Sequence, residues 1–238
     1  MNFKLQELSF TIVTQDLRPA IVNPGILQYV GIIPSGWELV ENPVYNEHEL
    51  KLIFNNQVRL IIQPNRVFLA ETIGTKAIQD IQIIEIIDNF LEIFTRVDYQ
   101  AVSIAPSGYA PFSSDIEVKQ YMSQNLLPDR PWQKFDRQSN NAVGLKLSYP
   151  HKSGNFYLDI NQANVEIGNR ITAAVWFAGN YSYRLVGNNN VEKLEHLKQL
   201  VAKWKIDVSK FYRFVEQKFL GSLVDPDRSV FPSTSHLN

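Results

Sequence analysis

Four histidines, 24 aspartates and glutamates and no cysteine make up the chain's stock of groups that could bind metals, transfer protons or attack as nucleophiles. His48 sits in Asn46-Glu47-His48-Glu49. In an extended segment the flanking carboxylates point away from the imidazole, so chelation would need a turn there. His196 follows Glu192 by four residues, one helical turn, which suits either two ligands side by side or a plain helical contact; no second histidine is near in sequence. His151 in a turn-forming stretch and His236 near the C-terminal end have no suggestive neighbours. Asp80, Glu85, Asp88 and Glu92 share or flank the polar stripe of one helix, the pattern of a solvated face. Asp159 lies inside the strand-like run Phe156-Tyr157-Leu158-Asp159-Ile160, where it faces water or pairs with Arg170 or Arg184. No acid and base are paired for catalysis. The residues therefore assign no catalytic group, no metal site and no cofactor.

Whole function classes drop out on the same grounds. The 11 glycines never take the spacing of a phosphate-binding loop, and Ser35 and Ser107 each precede a glycine without one two residues earlier, so no nucleophile elbow is present. A net charge of -1 gives no field to gather nucleic acid. The lysine-rich stretch from Lys193 to Lys218 reads as a solvated helical face, so a nucleic-acid partner is not expected. No window approaches 18 apolar residues, and Lys4, Gln6 and Glu7 break the amino-terminal run. Neither a visible export signal nor a membrane span is expected. The lack of cysteine fits a cytoplasmic setting.

One stretch resists a bland reading. Residues 23–39, NPGILQYVGIIPSGWEL, hold Ile26, Leu27, Tyr29, Val30, Ile32 and Ile33 between the turn-forming triplets Asn23-Pro24-Gly25 and Pro34-Ser35-Gly36. It is too apolar for an ordinary loop and too broken for a helix or strand. Either it is an irregular strap that seals the core with Trp37 as its plug, or Ile26, Tyr29, Ile32, Ile33 and Trp37 form a surface for an unknown protein partner or a second copy. A competing expectation is a small-molecule or enzyme pocket between two lobes, walled by Tyr99, Tyr109, Trp176 and Tyr181, with Tyr29 or Trp37.

The elements that position these groups follow from periodicity. Residues 50–72 read as a three-stranded meander, turned at Asn55-Asn56 and at Pro64-Asn65. In residues 77–96 the polar positions Gln79, Gln82, Glu85, Asn89, Glu92 and Arg96 step by three or four, predicting one long helix with a wide isoleucine-rich face. Residues 99–105 form a strand ended by Pro106 and Gly108. Ser114 with Glu117 caps a short helix, and Asn189 with Glu192 caps a longer one. Asp207 is placed as the cap of the last helix, through Phe219. Gly179-Asn180 reads as a hairpin turn. The expected class is α+β: a largely antiparallel sheet with helices on one face, in two loosely similar halves that run strands first and helix afterwards. Residues 1–127 would form the first lobe, 128–141 a linker, 142–222 the second lobe and 223–238 a disordered tail, with 1–222 as one compact domain the simpler variant.

The blocks NPGILQYVGIIPSGWEL, NNQVRLIIQPNRVFLAE, VDYQAVSIAPSGY, LLPDRPW and FAGNYSYRL, in this order, resemble an uncharacterised, mainly cyanobacterial family of bacterial proteins. The resemblance spans residues 8–215. It implies a bacterial cytoplasmic setting and brings no activity, ligand or catalytic residue.

Overall fold

The computed structural model describes residues 2–15, 17–127, 134–135, 138–139, 143–151 and 154–221. Its strands are β1 (Lys4–Gln15), β2 (Val44–Tyr45), β3 (Leu50–Ile53), β4 (Val58–Gln63), β5 (Arg66–Thr72), β6 (Asp98–Pro111), β7 (Lys134–Phe135), β8 (Gln138–Ser139), β9 (Gly144–His151), β10 (Gly154–Ile167) and β11 (Arg170–Arg184). The helices are α1 (Pro24–Tyr29), α2 (Ile83–Ile93), α3 (Asp115–Gln120), α4 (Asn190–Ala202) and α5 (Trp204–Phe214). Nine strands form one antiparallel sheet in the order β2-β3-β4-β5-β1-β6-β11-β10-β9, and β7 pairs with β8 alone. The α+β class is as the sequence implies.

The sheet order shows a repeat. Outward from its centre, β1-β5-β4-β3 on one side mirrors β6-β11-β10-β9 on the other, with β1 and β6 antiparallel between them. Each half contains, in order, a long strand, a six-residue helix, a three-stranded meander and a long helix, with edge strand β2 added in the first half and helix α5 in the second. Both halves thus build one continuous sheet.

Strand alternation gives the sheet two unlike faces. Phe10 opposite Ile104, and Ile104 opposite Tyr181, share the inner face with Leu60, Leu69, Leu158 and Phe177, all buried. There α2, α4 and α5 bring Ile86, Phe90, Leu197, Val208 and Phe211. Each such side chain contributes about 1.5–3 kcal/mol on burial, which sets the isoleucine-rich α2 helical despite its modest propensity. The outer face carries small or polar residues in the same registers: Thr11, Ser103 and Ser182, then Ser9 and Ala105.

Several local expectations are corrected. The β3–β4 turn takes three residues, Asn55 to Gln57, with Gln57 rather than either asparagine at positive φ (68°). The helix expected over 77–96 is split into a 3-10 turn (Ile78–Asp80) and α2, because the buried Glu71 carboxylate accepts the Gln82 and Ile83 N–H groups at 2.8 and 3.0 Å and sets a new helix start there. Strand β6 runs through Pro106 and Gly108 to Pro111, with Pro106 opposite Leu8. Strand β11 passes straight through Gly179-Asn180. A Cβ at Gly179 would lie 2.6 Å from the Phe211 ring, so this glycine admits a helix rather than a turn. The hairpin falls instead at Gly168-Asn169, with Gly168 at φ 62°. Asp207 lies inside α5 and is no cap; that helix begins at Trp204. The expected linker 128–141 lies outside the described residues except for the β7–β8 ladder, and the expected tail 223–238 lies wholly outside them.

Candidate interaction surface

The segment after β1 folds by rules that its own residues carry. Asn23 Oδ1 accepts the Ile26 N–H at 2.9 Å and Pro24 takes the first helical position, so α1 starts as a capped helix. It stops at Gly31, at φ 75°: the Gly31 N–H reaches the Gln28 carbonyl at 3.1 Å and the Ile32 N–H reaches that of Leu27 at 2.9 Å. This is the six-to-one and five-to-two pattern of a Schellman stop, which only a left-handed residue closes cheaply. An apolar stretch read as too broken for a helix therefore contains one. The missed signals were Asn-Pro at its start and Gly seven residues beyond Pro24.

That stop turns the chain inward. Ile32 and Ile33 are 0% and 1% exposed and pack with Leu27 in the core, so they drop out of the expected partner surface. Trp37 is half-buried with its ring edge against Phe54, centroids 5.0 Å apart. Ile26 and Tyr29 stay outside, Tyr29 at 91% exposure. The strap thus divides its apolar residues between core and water. Onward, the Asn55 N–H donates to the Glu38 carbonyl and the Val40 N–H to that of Ile53, laying residues 38–40 along β3 until β2 pairs with it. Tyr45 Oη returns to the Ala20 carbonyl at 2.5 Å, and Asn89 Nδ2 of α2 donates to the Gly31 carbonyl at 3.0 Å. These ties leave Ile26, Tyr29, Val30, Leu39, Val40, Val44 and Tyr45 at least partly exposed near the β2 edge of the sheet, with α1 on the helix-covered side and Val40 (66%) and Val44, beside Ile53 and opposite Lys51, turned to the other face.

The aromatic residues expected to wall a pocket do not come together around one cavity. Tyr99 and Tyr109 stand ten residues apart on the same strand, roughly 33 Å at strand rise. Tyr99 is buried, and its hydroxyl donates to the Phe94 carbonyl at 2.8 Å. Burial holds its pKa well above the ordinary phenol value. Tyr181 is buried under helix α5 and stacks on Phe156 at 4.5 Å. Tyr109 and Trp176 form a stacked cross-strand pair on the outer face. An open depression of about 550 Å³ lies elsewhere, lined by Gln15, Leu17, Arg18, Ile93, Arg96 and Asp98 among others.

The titratable groups serve the fold where the structure places them. His196 Nδ1 accepts the Val186 N–H at 2.9 Å, and His48 is exposed. Asp159 faces Lys146 at 3.8 Å, across the strand pair rather than at Arg170 or Arg184. Lys193 of the basic stretch is held by Asp98 at 3.1 Å. Three buried carboxylates were not foreseen, among them Glu216, which accepts the Phe3 N–H at 2.5 Å. Glu71 also takes the Lys76 ammonium at 2.8 Å, and Asp207 accepts the Tyr183 hydroxyl at 2.6 Å while burial raises its pKa. The signal for Glu71 was present: a charge on the inward register of a strand must have partners. Among the described residues no group of three or more histidines, aspartates and glutamates is placed to hold a metal ion. No helix of the described residues is long and apolar enough to cross a membrane.

A scan against protein-family models matches none, and a search of curated proteins gives no significant match.

Proposed function

We propose that this protein is a non-enzymatic interaction or assembly module that engages its partner through the apolar residues left exposed by α1 and residues 38–45 near the β2 edge of its sheet. A bacterial cytoplasmic setting accords with the resemblance noted above and with the lack of cysteine. The observation that carries the reading is the division within the strap. The same short segment buries Leu27, Ile32 and Ile33 completely and leaves Tyr29 and Val40 in water. Leaving apolar surface exposed forgoes about 25 cal/mol for each Å², and exposed apolar surface on a folded protein serves docking. The outer edge of β2 borders these residues, so an extended partner can add backbone hydrogen bonds beside the side-chain contacts.

The test compares the full chain with its Tyr29→Ser/Val40→Ser variant, by light scattering over a range of concentrations and by capture from an extract of the source cells. Concentration-dependent self-association or a captured partner, lost in the variant, is the expected result. A wild-type chain that stays monomeric and retains nothing contradicts the reading.

A further inference from the structure

The depression at the C-terminal end of α2 has the size and the chemistry of a ligand site. Its volume of about 550 Å³ falls within the roughly 300–1,000 Å³ of small-molecule pockets. It lies where the two halves join: the chain leaving β1 brings Leu17 and Arg18, and the chain passing from α2 into β6 brings Thr95, Arg96 and Val97. Leu17 is buried and Val97 half-buried, while Arg18 and Arg96 are exposed. The lining thus sets apolar surface beside two guanidinium groups.

Those groups are not used by the protein. Among the described residues neither Arg18 nor Arg96 forms an ion pair or a side-chain hydrogen bond, even though Glu92 stands one turn before Arg96. The one carboxylate in the described lining, Asp98, is held by Lys193 at 3.1 Å. At the end of α2 the Phe94 carbonyl already accepts the Tyr99 hydroxyl at 2.8 Å and the Val97 N–H at 3.3 Å, so it makes no demand on them. A guanidinium presents a planar fork of donors that matches a carboxylate or a phosphate. We infer that this depression binds a small molecule with an acidic head, carboxylate or phosphate, on an apolar body, with Arg18 and Arg96 on the head and Leu17 and Val97 against the body. The site is independent of the exposed residues near β2 and takes a free ligand rather than a protein.

Titration of the isotope-labelled full chain with hexanoate, hexyl phosphate, hexanol and hexylamine, followed by amide chemical shifts, tests this. At about 50 mM salt one of the two acids is expected to bind about tenfold or more tighter than hexanol or hexylamine, with the gap narrowing at about 0.5 M as screening shortens. The shifted amides should include those of Leu17, Arg18, Thr95, Arg96 and Val97. Arg18→Gln and Arg96→Gln should each weaken that acid about fivefold or more, whereas Lys146→Gln on the edge strand β9 should not. Asp16→Asn, which removes the acidic residue next to this lining in sequence, should leave the affinity unchanged or raise it. Circular dichroism confirms that each variant is folded. Tighter binding of either acid upholds the site and names its head group. Acids that bind no better than hexanol, shifts confined to other regions, or an affinity unchanged in both arginine variants overturn the inference, as does weaker binding in Asp16→Asn.

Discussion

Asn23 and Ser114 sit at equivalent points of the two halves, each capping a six-residue helix through the N–H three residues on, to Ile26 and Glu117. Beyond those caps the halves part. After α3 the chain enters a π turn that buries Tyr121 and Met122, and the Tyr121 hydroxyl donates to the Phe219 carbonyl at 2.7 Å, which fastens it beneath the C-terminal helix. After α1 the chain buries Ile32 and Ile33 but then runs on along the sheet edge with its apolar groups outward. In the second half a lone Ile116 is the exposed counterpart on the short helix. Isolated exposed residues are normal on any protein, and the second half has its own in Ile171, Val186 and Val191. One plan, used twice, has been closed by a helix in one half and left open in the other.

The comparison can be broken most severely at the node that holds the first half together. Glu71→Ala leaves the Lys76 ammonium with only the Asn56 carbonyl and strands two N–H groups at the start of α2, and should cost about 3–5 kcal/mol in urea unfolding followed by tryptophan fluorescence. Loss of this size locates the start of α2 in that carboxylate. In the second half Gly179→Ala drives a methyl into the Phe211 ring and should cost about 1–3 kcal/mol, as overpacking does. Tyr183→Phe removes the donor to Asp207 and should cost about 1–2 kcal/mol, less than Glu71→Ala because one hydrogen bond is lost rather than three partners.

Asp207 adds a pH signature to the second half. Burial raises its pKa, so the folded chain binds that proton more readily than the unfolded one. The stability linked to this proton is fully present below the unfolded value near 4 and is lost as pH rises through the folded value. Asp207→Asn carries no such titration. The stability of the variant relative to wild type should therefore increase between about pH 4 and neutrality, and a difference independent of pH would contradict the assigned burial. The smallest effect on folding belongs to the strap. Tyr29→Ser should change stability by no more than about 0.5 kcal/mol, because a side chain already in water loses little.

The class, the one-sided helix cover and the capped starts of α3 and α4 were legible in the sequence because each rests on a local pattern: alternation in the strands, three-and-four spacing in the helices, a Ser or Asn followed by Glu. What stayed hidden depended on distant partners. Gly179 resembles a turn until Phe211 is seen against it, and Asp207 resembles a cap until Tyr183 is seen beside it. Pro106 suggested a strand end, yet neighbours on both sides carry β6 through it. For the surface, periodicity could group Ile26, Tyr29, Ile32 and Ile33 but not divide them. The division follows from the Gly31 stop, which reverses the chain so that consecutive isoleucines turn inward while the preceding helix face looks out.

The most direct test sets three full-length chains side by side in capture from source-cell extract and in light scattering: wild type, Tyr29→Ser/Val40→Ser in the open half, and Ile116→Ser in the closed half. The account predicts that the first and third associate alike and that only the strap variant fails, with all three equally stable to urea. Association that survives in the strap variant, or that is lost with Ile116→Ser instead, would contradict it.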